Sequence, residues 1–79
     1  MNVGDLVEIH WKDIIASEGW VAENKFTEKP HPCTTIGWLT DSQDEHITVS
    51  ATRSKSAEGV EYNQHITIPR GCITSVVVW

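Results

Sequence analysis

Apolar runs are short throughout this sequence. None approaches the roughly 20 residues that cross a bilayer as a helix, and no secretory signal pattern is present, so no membrane role is expected. Cysteine is scarce as well. Cys33 and Cys72 stand alone and far apart, which excludes the dense disulfide framework that small secreted domains use in place of a core. Free thiols in a cytoplasmic setting are the economical reading, although distant residues of a barrel can meet and a single bridge between the two stays open. Positive charge is in short supply: 6 Lys and Arg stand against 11 Asp and Glu, a net charge of -5, so binding to nucleic acid is disfavoured. Arg53, Lys55 and Arg70 are the residues from which a local positive spot would be built. Length is the last shortage. A chain of 79 residues hides only about 60% of its unfolded surface, so the core is small and a deep catalytic cavity would be unusual.

What the chain does have is β patterning. Leu6-Val7-Glu8-Ile9-His10-Trp11 alternates, with Val7, Ile9 and Trp11 on one face and Glu8 and His10 on the other, the mark of a half-buried strand. From Lys12 to Pro32 the pattern degrades into a long loop. Ser17-Glu18-Gly19 reads as a turn and Lys29-Pro30-His31-Pro32 as an extended break, and a loop of this length needs Trp20 and Phe26 as anchors that pack it down. Thr34 to Thr40 and His46 to Thr52 then form a hairpin about the polar turn Asp41-Ser42-Gln43-Asp44-Glu45, with Ile47, Val49 and Ala51 inward and His46, Thr48 and Ser50 wetted. Gly37 inside the first of these strands predicts a bulge or sharp bend. Arg53 to Gly59 lacks an apolar period and reads as a loop. Tyr62 to Ile68 supplies a fourth strand, Pro69-Arg70-Gly71 stops the pairing, and Ile73 to Trp79 supplies a fifth.

Strand, long loop, hairpin, loop, strand, one-turn break and strand, with Ile66-Thr67-Ile68-Pro69-Arg70-Gly71-Cys72-Ile73 near the end, resemble the SH3-like small barrel. The expected fold is therefore all-β: a small five-stranded antiparallel SH3-like barrel over residues 1–79 as a single domain, with a one-turn 3-10 break before the last strand. Sm-like barrels share this skeleton but usually begin with a helix, for which Met1 to Asp5 leaves no room. Trp11-Lys12-Asp13, Ser17-Glu18-Gly19-Trp20, Thr35-Ile36-Gly37-Trp38-Leu39 and Ile68-Pro69-Arg70-Gly71-Cys72-Ile73 together resemble small proteins of tailed bacteriophages and their prophages, which implies an accessory or host-interaction role in the host cytoplasm. The departures carry weight. Where signalling SH3 domains place the tyrosines of their proline-binding groove, this chain has Leu6-Val7-Glu8-Ile9 and Arg70-Gly71-Cys72, while the long loop with Asp13, Glu18, Glu23 and Glu28 resembles the acidic specificity loop that accepts basic ligand residues.

No catalytic or cofactor chemistry is expected. His31-Pro32-Cys33 brings two metal-ligand types together, but no second pair exists, and His10, His46 and His65 fall singly on outward strand positions. Cys72 lies in a closing turn without the base and orienting group that a nucleophile needs, so it reads as a buried free thiol. The four tryptophans exceed what so small a core can hold. Trp11 shares a face with Val7 and Ile9, leaving Trp20 or Trp38 with an exposed ring, and an exposed aromatic beside polar residues is a common binding hot spot. The expected function is a non-enzymatic protein-binding module whose surface draws on Asp13, Glu18, Trp20, Glu23, Phe26, Trp38 and Tyr62, with a host or virion protein as partner. Two alternatives stand beside it: an Sm-like homo-oligomeric ring that binds RNA, joined through the apolar last strand Val76-Val77-Val78-Trp79, and a small structural component of a virion.

Overall fold

A computed structural model describes residues 1–79. Five strands follow one another: β1 (Leu6–Asp13), β2 (His31–Ser42), β3 (His46–Ser56), β4 (Gly59–Pro69) and, after a single 3-10 turn at Arg70–Cys72, β5 (Ile73–Val78). They form one open sheet in the order β4-β3-β2-β1-β5, every neighbouring pair antiparallel, and the chain contains no α-helix. The alternation read in β1 is real: Val7 and Ile9 are fully buried while Glu8 and His10 are only half-buried.

The core consists of Val7, Ile9, Leu39, Ile47, Val49 and Ile68, with Trp11, Ile66, Cys72 and Ile73 packed against it. No second layer covers these side chains. A single sheet can bring them to near-zero exposure only by curling until its own inner face closes over them. Gly37 makes the curl sterically feasible. A Cβ there would lie 2.5 Å from the Ser50 carbonyl oxygen and 2.7 Å from Val49 Cγ1, so β2 and β3 approach more closely than any other residue allows. The bulge itself lies elsewhere. The register slips between Leu39 and Asp41, leaving Thr40 as the extra residue, and its hydroxyl donates to the Thr48 carbonyl at 3.2 Å.

Several expectations are corrected. β2 begins at His31 and not at Thr34, despite Pro32. The Leu39 N–H donates to the Asp5 carbonyl, which makes the odd-numbered residues of β2 the ones bonded to β1; Pro32 faces away from β1, on a side where β3 no longer pairs, so its missing donor costs nothing. The stretch Arg53 to Gly59 is not a loop but the end of a hairpin, paired through Arg53↔Tyr62 to Ser56↔Gly59, with Gly59 at φ 125° beside the two-residue turn. Its two polar faces hide the period, because this arm runs beyond the core. Ala51 is accordingly exposed although Ile47 and Val49 are buried, and Ser50, expected to be wetted, is fully buried where β2 crosses it.

Two arms thus leave the core: β1–β2 with its loop, and the outer half of β3–β4. They draw the molecule out to 61 × 21 × 20 Å with a radius of gyration of 16.5 Å, against about 12 Å for a compact chain of this length. Gly37→Ala should force apart the strands that seal the core and lower stability by about 1–3 kcal/mol, read as an earlier midpoint in urea; an unchanged midpoint would show that the crossing is looser than described.

Candidate functional site

The loop of residues 14–30 springs from the Asp13↔His31 end of the β1–β2 hairpin. Asp13 is fixed there, its Oδ1 accepting the Ile14 N–H at 2.8 Å. Beyond that point the loop holds itself by little: the Lys25 N–H donates to the Ala22 carbonyl at 2.9 Å, forming a turn over Glu23 and Asn24, and the Ser17 hydroxyl donates to Glu28 Oε2 at 3.1 Å. Gly19, at φ 113°, turns the chain just before Trp20.

The expected anchors do not anchor. Trp20 is 106% exposed and Phe26 72%, and every residue of the loop faces solvent. The reason is the size of the core, whose few side chains are already covered by the sheet, leaving no apolar floor for a loop to rest on. Glu18 and Glu23 are exposed within two or three residues of these rings along the chain, with Lys25 and Lys29 interspersed. Ile14 and Ile15 join Glu28, Lys29 and Pro30 in a shallow groove at the base. Trp20, Phe26, Asp13, Glu18 and Glu23 therefore belong to one region.

Trp38 and Tyr62 belong to another. Trp38 lies seven residues along β2 from His31, about 23 Å of extended strand, and it is half-buried. Arg53 holds its guanidinium 4.7 Å from the centre of the Trp38 ring and sits opposite Tyr62 across the β3–β4 ladder, so the three form a continuous group. The stacking gives Arg53 a structural task. Arg70 has another: its Nε–H donates to the Gln43 carbonyl at 2.6 Å and its Nη2 to Ser42 Oγ at 2.9 Å, tying the 3-10 turn to the β2–β3 turn. That turn leads into the start of β3, whereas Arg53 and Lys55 lie toward its far end, so no common positive spot forms.

Other chemistry-bearing residues are also placed. The Ser50 hydroxyl is 2.7 Å from His65 Nδ1 and 3.2 Å from the Thr40 hydroxyl. Sequence reasoning did not foresee this serine–histidine contact, which only the β3–β4 register creates. Ser50 has no access to solvent, and the contact satisfies a buried hydroxyl instead of activating an exposed one. His10 pairs with Glu8 at 2.5 Å, and the Trp11 indole N–H donates to the Thr35 hydroxyl at 3.0 Å. An open, wholly polar depression on the β2–β3 turn is lined by Asp41, Gln43, Asp44, Glu45 and His46. No group of three or more His, Cys, Asp or Glu is arranged to hold a metal ion, and Cys33 and Cys72 are both free and half-buried.

Trp20 and Trp38 should separate cleanly in a stability measurement. Trp38→Ala uncovers packed surface and should cost about 1–3 kcal/mol, while Trp20→Ala should stay within about 0.5 kcal/mol of the parent in urea denaturation. Equal losses would contradict the different surroundings of the two rings. The chain matches no protein-family model, no curated protein and no solved structure.

Proposed function

We propose that the chain is a non-enzymatic protein-binding module of the SH3-like small-barrel kind, whose loop of residues 14–30 captures a partner protein. The barrel reading is supported by the strand order, the curled sheet and the 3-10 turn between β4 and β5. The observation that carries the function is the exposure of Trp20 and Phe26 on a weakly bonded loop. Large rings held in water lose hydration cost when a partner covers them, and aromatic side chains dominate the energetics of protein interfaces for that reason. The loop closes at low internal cost and orders fully only around a partner, so binding must repay its conformational entropy.

Partner chemistry follows from the rim. Asp13 at the base of the loop and Glu18 and Glu23 close to the rings in sequence suit an apolar cleft or segment edged with Lys or Arg. Lys25 and Lys29 dilute that charge, so the aromatic pair supplies most of the affinity and the carboxylates set orientation. Trp38 and Tyr62 are not part of the grip in this reading, because Arg53 already covers the indole. A role as a tailed-bacteriophage accessory or host-interaction protein is part of the proposal and rests on the sequence resemblance alone. An Sm-like ring is the weaker reading: it would have to use both sheet edges, and the β4 edge carries Glu61 beside the Glu58 turn.

Capture of a partner from the native host by the tagged protein tests the proposal. Trp20→Ala combined with Phe26→Ala should weaken capture at least thirtyfold, about 2 kcal/mol, with an unchanged far-ultraviolet circular dichroism spectrum. Capture that survives both substitutions would remove the loop from the mechanism.

A further inference from the structure

β5 forms one edge of the sheet, and no strand pairs with its free side. The Trp79 N–H donates to the Leu6 carbonyl at 2.8 Å, and the register continues through Glu8↔Val77 and His10↔Ser75. In an antiparallel ladder residues alternate between bonding one neighbour and bonding the other. Ser75, Val77 and Trp79 therefore direct their backbone groups to β1, while Val76 and Val78 present theirs to the open edge. Charge, proline and bulges are the usual protection of such an edge. The β4 edge has charge and proline in Glu61 and Pro69. β5 has a bulge at Thr74, where the register slips between His10↔Ser75 and Trp11↔Ile73, but beyond it Ser75 to Trp79 pair in regular register and contain no charged residue and no proline.

The side chains on β5 are as unprotected as its backbone. Val77 lies in a row with Glu8 and Ile36, and Trp79 beside Leu6, so Leu6, Ile36, Val77 and Trp79 place exposed apolar groups on one face of three adjacent strands, interrupted by the Glu8 carboxylate. Val76 and Val78 point to the opposite face and are 37% and 50% exposed.

We propose that β5 pairs antiparallel with β5 of a second copy of this chain about a two-fold axis, joining two five-stranded sheets into one continuous sheet. A second copy is the occupant that the chemistry selects. A charge-recognised partner would find nothing to pair with on this strand, whereas two uncharged edges match each other although each chain carries -5 overall. The area agrees with a reversible dimer. Val76, Val77, Val78 and Trp79 are 37%, 47%, 50% and 70% exposed, so that complete cover of them would bury at most about 800 Å² over the pair, the weak end of specific contacts. The small core supplies the drive, since only 8 of 79 residues are buried in the isolated chain. Because both copies are acidic, salt should strengthen the association by screening their repulsion.

Sedimentation equilibrium of the full chain from about 1 μM to about 1 mM, at low and high salt, tests the pairing. The mass should rise from 8.9 kDa toward twice that value, more fully at high salt. Val78→Pro removes a donor that faces only the open edge, and Val77→Lys places a charge on the exposed face; both should keep the chain monomeric with unchanged circular dichroism. Amide exchange of the unaltered protein supplies a reading that needs no variant: the Val76 and Val78 amides should become protected as concentration rises. A monomer throughout, a dimer that persists in folded Val78→Pro, unprotected Val76 and Val78 amides, or assemblies beyond two copies would each overturn the proposal. Trp20→Ala with Phe26→Ala should dimerise like the parent, so the loop and the strand edge succeed or fail separately.

Discussion

The close passage of β2 over β3 at Gly37 is the constraint on which the rest of this structure depends. Hydrophobic side chains on a lone sheet are normally half wet, because a sheet has two faces and needs a second layer to dry one of them. Here the backbone of Gly37 lies against Ser50, the sheet curls, and six side chains from four strands become mutually covered. The Thr40 bulge bends β2 just beyond the crossing, and the Ser50 hydroxyl forced inside finds partners in His65 and Thr40. Packing and hydrogen bonding at this point are parts of one solution.

So small an interior decides where everything else goes. Trp11 reaches the edge of the core with its indole N–H satisfied, and Trp38 finds cover under Arg53. Trp20 and Trp79 have no such place and stand in solvent. The molecule consequently carries apolar surface at two separate locations, a weakly bonded loop and an uncharged strand edge. One suits recognition of a different protein because it is weakly bonded and carries charges along its chain; the other suits pairing with itself because Ser75 to Trp79, beyond the Thr74 bulge, are in register and uncharged. A third feature, the polar depression at the β2–β3 turn, has neither apolar lining nor a set of metal ligands.

Much of the β structure was legible wherever one face was buried. Val7 and Ile9, Ile47 and Val49, and Ile66 and Ile68 announce their strands by alternation, and Pro69-Arg70-Gly71 announces the break before β5 by its lost donor and its glycine, its 3-10 form having been implied by the resemblance to small barrels. Legibility ended with burial. Arg53 to Ser56 and Gly59 to Glu61 form a ladder wet on both sides, so no period marks them, and Pro32 sits in a strand at a position whose donor has no acceptor to meet. The candidate site was half legible for the same reason. Exposed aromatics were inferred from a count of indoles against core volume, but the count does not say which ring is left out, and the supposed anchors Trp20 and Phe26 turned out to be the ones without cover.

Local chemistry in the chain determined strand identity, the turns, the absence of long apolar runs and the excess of aromatic rings, since each depends on neighbours a few residues apart. Only the folded chain decided that Gly37 serves a crossing and not a bulge, that Arg53 stacks on Trp38, that Ser50 meets His65, and that the free groups of β5 belong to Val76 and Val78. These depend on register and curl, which bring together residues a dozen or more positions apart and leave no periodic trace in the sequence.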